Sequence, residues 1–375
     1  MDIKRLTAAV LTAAFAVSLA ACGRSERQGA SEQAELYGSM GSVTIMGREY
    51  DIATTTKLAL AGEEVTDDVL KQTAQLTELN VLWLLDAQIG DITPLSELTN
   101  LTELHLDSPR IEDISPLSGL TALTILDFAG SELGDITPLS EMTNLTHLYL
   151  GGNRNGDITP LTGLTNLTSL GLGNNRLGDI TLLSGLTNLT YLDLEGNGIG
   201  DITPLSELKN LTELNLDNNR ISDISPLSGL TNLTKLNLYN NRIEDITPLS
   251  GLTNLTRLSL YCNQIVDITP LTGLTELNLL RLDENRIEDI TLLSGLTKLD
   301  VLGLSYNRIV DISPLSGLTD LTYLDLYDNQ IGDITPLTGL KNLKYLYLDS
   351  NRIGDSDKKK LEKKLRRCFI SYFSD

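Results

Sequence analysis

The sequence predicts an α/β solenoid, and three observations carry that prediction. First, one sentence of residues recurs: Leu211, Leu214 and Leu216, then Asn219, Ile221, Asp223-Ile224-Ser225-Pro226-Leu227 and Leu230, with the next copy starting at Leu233. Second, the Asp of that sentence falls every 22 residues from Asp91 to Asp333, with no insertion or deletion, and Asp355 opens a copy that breaks off. Third, seven apolar positions repeat per copy, enough to build a core only if each unit stacks on its neighbours.

The motif L-T-x-L-x-L-x-x-N-x-I-x-D-I-T/S-P-L resembles the 22-residue leucine-rich repeats of internalin-type bacterial surface proteins. The resemblance runs from Leu79 to Asp355, about three quarters of the chain. It implies a right-handed curved array with a concave parallel β-sheet and 3-10 turns on the convex side, to which the residues of the two ends add helical caps. It also implies that the concave face binds a protein. The sequence departs from that family in its ends: no immunoglobulin-like segment or cell-wall sorting motif is recognisable after the repeats.

Five segments are expected: a leader over 1–21, a tether over 22–41, an N-terminal cap over 42–75, repeats over 76–354 and a C-terminal cap over 355–375. Lys4 and Arg5 precede an apolar run from Leu6 to Leu19, as in a signal peptide. Leu19-Ala20-Ala21-Cys22 resembles the bacterial lipobox, which implies cleavage before Cys22 and lipid on its sulfur. The expected location is therefore the bacterial cell envelope or surface, reached across the cytoplasmic membrane and held by that lipid. Residues 23–41 are polar and Gly/Ser-rich, as a tether would be.

In the N-terminal cap, Val43 to Ile52 alternates weakly and suits a short hairpin. Leu58 and Leu60 mimic a repeat strand, but Asp67 lies 24 residues before Asp91. Thr66 is the expected N-cap of a helix over 67–75, with Asp67 and Asp68 at its positive end. Within each repeat, Thr93 is expected to cap a helical turn that has Pro94 at its first position. The Asp column reads as carboxylates accepting backbone N–H bonds; one acid per unit lacks the six or more oxygens that Ca²⁺ takes. An inward Asn ladder, which the resemblance implies, starts at Asn153, while Ala87, Pro109 and Ser131 occupy its place in the first three units. Those units should be the loosest, because buried backbone groups need partners. The N-L-T tripeptides match the glycosylation sequon only as a by-product of the repeat. At the C-terminal end, Ser356 is the expected cap of a basic helix over 357–367 that packs Leu361, Leu365 and Cys368 on the last unit. Residues 368–373 then read as a strand covering the sheet edge.

Strand residues alternate faces, so the third, fifth and seventh positions of each unit line the open face and the eighth its edge. Eight of the twelve tyrosines fall on that face, and Tyr306 at the edge. The candidate ligand-binding residues are Tyr323, Asp325, Tyr327, Tyr345, Tyr347 and Asp349 near the C-terminal end, with Tyr306, Tyr261 and Tyr239 beside them. Trp83, His105 and Tyr149 form a smaller group near the N-terminal end. Tyrosine and tryptophan give large contact area at low entropic cost.

The net charge is −21, and subtracting the basic ends leaves −25 on residues 22–354. A body this acidic is a poor nucleic-acid binder, because phosphate contacts need clustered Lys and Arg, so no nucleic-acid partner is expected. No nucleophile has a His in register, and no zinc or phosphate-loop spacing occurs, so neither catalysis, metal nor cofactor is expected. Cys262 and Cys368 lie four units apart, about 19 Å at ~4.8 Å per strand, beyond disulfide reach. The reading is a monomeric, non-catalytic scaffold that recognises a protein ligand; a glycan or envelope polymer, or a spacer role without ligand, are the alternatives.

Overall fold

A computed structural model describes residues 41–131 and 133–372; the leader, Cys22 and the tether up to residue 40 lie outside them. The described residues open with the predicted hairpin, β1 (Ser42–Ile45) antiparallel to β2 (Arg48–Asp51), which turns through Met46 and Gly47, both at positive φ. From there one parallel sheet of fifteen strands follows sequence order. It runs from β3 (Lys57–Ala61) through β4 (Val81–Leu85) to β16 (Tyr345–Tyr347) and β17 (Phe369–Ser371). Between β4 and β16 partners stand 22 residues apart, as Leu214 does with Leu236. At each end the step is 24: Leu58 pairs with Leu82, and Leu346 with Ile370. The sheet is the concave face of a right-handed open solenoid whose convex side carries twelve 3-10 turns among the described residues.

The seven apolar positions are buried from unit to unit as one continuous core. One column breaks. Asn155 stands where Leu133 and Leu177 stand in the units on either side, is only 1% exposed, and neither its Nδ2 nor its Oδ1 has a partner.

Polar letters of the repeat join units to one another. The amide nitrogen of Asn219 donates to Leu194 O at 3.0 Å and Leu216 O at 3.1 Å, and its Oδ1 accepts from Ile199 N at 2.9 Å. In the first units Ser108, not Pro109, takes this role: its hydroxyl donates to Ile89 O at 2.7 Å, and Ser131 donates to Ser108 O at 3.0 Å. Two further ladders run through the N-L-T tripeptides. Asn210 Nδ2 donates to Thr187 O at 2.9 Å, and Thr212 Oγ1 to Thr190 O at 3.0 Å. The sequon letters are therefore structural, each satisfying a carbonyl of the preceding unit.

Three expected caps are corrected. In the 3-10 turn Thr93–Glu97 the cap position is Ile92, and the Thr93 N–H donates to Asp91 Oδ1 at 2.9 Å. The aspartate, reaching two residues on, satisfies the orphan donor that the threonine was expected to cover. The Thr93 hydroxyl and then its N–H hold the Asp91 carboxyl below the usual range, and the same pattern recurs at Asp157 and Asp245. Helix α1 (Asp67–Thr73) has Thr66 at its cap, but with no side-chain bond. Asp67 instead accepts Gly90 N and Asp91 N at 2.8 and 3.1 Å, tying the cap to the first repeat. Helix α2 (Asp355–Lys364) starts two residues early, after Gly354 rather than Ser356. Leu361 and Leu365 are buried beneath it as expected. Among the described residues no helix is long and apolar enough to cross a membrane.

Candidate ligand-binding face

The tyrosines assemble by register. Because strands pair at fixed offsets, side chains at equivalent positions stand side by side across the sheet. Tyr323 and Tyr345 are directly paired, with ring centroids 6.5 Å apart, and Tyr323 lies 5.6 Å from Tyr347. Phe369 pairs with Tyr345 and extends the group, 6.5 Å from Tyr345 and 6.1 Å from Tyr347. Tyr306 meets Tyr327 at 4.9 Å. Further along, Tyr239 and Tyr261 stack at 4.7 Å, and the Tyr261 hydroxyl donates to Glu284 at 2.8 Å. That bond and burial push the Tyr261 phenol well above its ordinary range.

Arg281 joins the two groups. Its guanidinium carbon lies 6.0 Å from the Tyr261 ring and 6.0 Å from the Tyr323 ring, the outer reach of a cation–π contact. Its Nε donates to Asp283 at 2.6 Å, and Asp283, with a side chain 1% exposed, also accepts the Ser305 hydroxyl at 2.8 Å. Gly303 makes room for this pair: a Cβ there would lie 2.5 Å from Arg281 Nε and collide with the Asp283 carboxylate. The result is one ribbon of rings from Tyr239 to Phe369.

The two expected carboxylates fare differently. Asp325 is half-buried and accepts the Tyr327 N–H at 3.0 Å; burial pushes its carboxyl upward, with Arg281 opposing. Asp349 is withdrawn into the sheet edge, where it accepts the Ser371 hydroxyl at 2.9 Å. Ser305, Tyr306, Asp325, Tyr327 and Tyr347 line a shallow depression of about 250 Å³.

The N-terminal group is only partly brought together. Trp83 is buried, packs 4.3 Å from the His105 ring and donates to Glu103 at 3.0 Å. His105 also bonds Glu103 at 3.0 Å. Tyr149 lies apart, two strands further, its hydroxyl bonded to Ser169 and its ring over Gly171. Mid-array, Asp193, Glu195 and Asp217 share the face, and burial raises Asp217 to about 7.

Sequence reasoning missed Phe369, Arg281, Asp283 and Ser305 as partners of the tyrosines. Phe369 was findable: the 24-residue step seen at the N-terminal cap, applied after Tyr345, lands on it. Among the described residues, no cluster of three or more His, Cys, Asp or Glu side chains is placed to hold a metal ion, and Cys262 and Cys368 are free.

The family model "Leucine Rich repeats (2 copies)" matches residues 165–207, 209–251, 297–339 and 319–363. The structure of an internalin, InlF of Listeria monocytogenes, is 39% identical, covers 78% of this chain and 87% of its own, and superposes with a TM-score of 0.75. The chain belongs to the internalin-like leucine-rich repeat family. A Leptospira interrogans leucine-rich repeat protein resembles this internalin-like chain at 28% identity, 84% and 90% coverage and a TM-score of 0.71. The functional domain of InlJ from Listeria monocytogenes does so at 26%, 81% and 70%, with a TM-score of 0.65. A search of curated proteins finds no match.

Proposed function

We propose that the chain is a non-catalytic binding scaffold that captures a protein ligand on its concave face, with the ribbon from Tyr239 to Phe369 as the contact surface. The observation that carries this reading is exposure. Tyr306, Tyr345 and Phe369 stand 46%, 50% and 53% open to solvent on one ribbon, whereas the other exposed large hydrophobics, Met46, Leu182, Val266 and Val310, are aliphatic. Contiguous exposed aromatics of this kind mark interaction surfaces. Tyr239 and Tyr261 stack at 25°, but from Tyr306 to Phe369, where the exposed rings lie, the rings are tilted to one another by 46–60°, which forms pockets and edges rather than the flat platform a sugar ring would stack on. That favours a protein over a glycan. Similarity to an internalin over most of both chains fits this reading, since the internalin-type resemblance of the repeats implies a protein-binding concave face.

Replacing Tyr323, Tyr327, Tyr345 and Tyr347 together with alanine should abolish partner capture in a crosslinking pulldown from the native cell surface, with circular dichroism unchanged. Undiminished capture by a folded variant would sink the assignment. The anchor is proposed at Cys22, on the lipobox resemblance of Leu19 to Cys22. The scaffold then acts as a lipid-held monomer at the bacterial surface, with residues 22–41 as tether. Cys22→Ala should release the protein from the membrane fraction, which fractionation reads directly.

A further inference from the structure

We propose that the depression ringed by Tyr306, Tyr327 and Tyr347, with the Asp325 carboxylate in its wall, receives one organic cation: a lysine or arginine side chain carried by the protein ligand. This rests on the reading of the ribbon as a protein-binding surface and narrows it to one anchor of defined chemistry.

Two observations converge. The first is the lining. The Tyr306 and Tyr327 rings meet at 56° with centroids 4.9 Å apart, so they form a corner, and Tyr347 closes a further side. A ring face attracts a cation held within about 6 Å of its centroid, whereas a neutral group gains only burial. Ser305, small and buried, leaves the floor open.

The second is charge. Among the described residues Asp325 has no salt bridge, and its one hydrogen bond comes from the Tyr327 N–H. The nearest cation, Arg281, is committed to Asp283 at 2.6 Å. Asp283 is satisfied in turn by Ser305, and Asp349 by Ser371. The uncommitted charge of the depression is therefore negative, in a body of strongly negative net charge. An acidic aromatic hollow selects a cation against neutral and anionic groups.

The backbone that carries Tyr306 is the repeat's own. The bend after each strand is left-handed in every unit from Gly130 to Ser350, with glycine, asparagine, Cys262, Glu284 and Asp328 also taking it, and Tyr306 sits there at φ 52°.

The test uses the full-length protein with ¹³C-labelled tyrosine rings, titrated by NMR. The probes are N-acetyl-arginine amide and N-acetyl-lysine amide, against their neutral isosteres citrulline and norleucine. At least one cation should shift the Tyr306, Tyr327 and Tyr347 signals saturably, about tenfold more tightly than its isostere. Asp325→Asn should remove that preference. Tyr306→Asn, which suits the left-handed backbone and keeps the fold, should weaken cation binding. Equal binding of neutral and charged probes, no saturable shift with either cation, or a preference that survives Asp325→Asn each overturns the proposal. Failure of the wider reading shows differently: the four-alanine variant keeps its protein partner whatever the probes do.

Discussion

Asn155 is the residue most at odds with its surroundings. Its position in the repeat is an inward Ile or Leu, and its amide lies buried with no donor or acceptor to meet it. Leaving a buried polar group unpaired costs about 1–3 kcal/mol, and an aliphatic side chain there would add burial of its own. Asn155→Ile should therefore raise unfolding stability by about 2 kcal/mol in urea titration with the m-value unchanged; a destabilised variant would show the amide has an unseen partner. Asp217 offers a second residue-scale prediction. Its folded carboxyl titrates near 7 against an ordinary 3.8, so between those values the native state binds more protons than the unfolded chain. Stability attributable to it is present in acid and lost as pH rises toward and through 7. The Tyr239 N–H that donates to it at 2.6 Å needs only an acceptor, which Asn supplies. Asp217→Asn should match the wild type near pH 4 and exceed it at pH 8, by about 1 kcal/mol, because the side chain keeps part of its solvent. A constant difference across that range would refute the protonation account.

At the scale of elements, the unit is held by ladders whose strength varies along the array. Asn219 makes several bonds to backbone groups of two units, while Ser108 and Ser131 each join their neighbours through a single hydroxyl, and Ala87 contributes none. Hydrogen exchange should accordingly be faster in units 91–135 than in 201–311; uniform protection would show that packing alone sets local stability. The same ladders mark what a reader of residues can and cannot see. The strands, their register and the buried columns were legible because the 22-residue period never slips. The roles of Asn210 and Thr212 were not, since their partners are carbonyls 22 or 23 residues back, beyond any local pattern. Thr93 was misplaced by one position because threonine and aspartate can both serve a turn's first N–H, and only geometry separates them. The tyrosine ribbon was legible from strand alternation. The Arg281–Asp283 link was not, because it depends on the space above Gly303.

At the scale of the molecule, fifteen strands hydrogen-bond in sequence order, so every backbone ladder runs along the long axis of the array. A load applied between the two ends would therefore pull those bonds open in line, one strand at a time, rather than shearing many together. Each 22-residue unit that detaches would release about 75 Å of extended chain in place of roughly 5 Å of stacked strand. Under tension the solenoid would lengthen in equal steps of about 70 Å, a regular sawtooth whose spacing is written by the repeat itself.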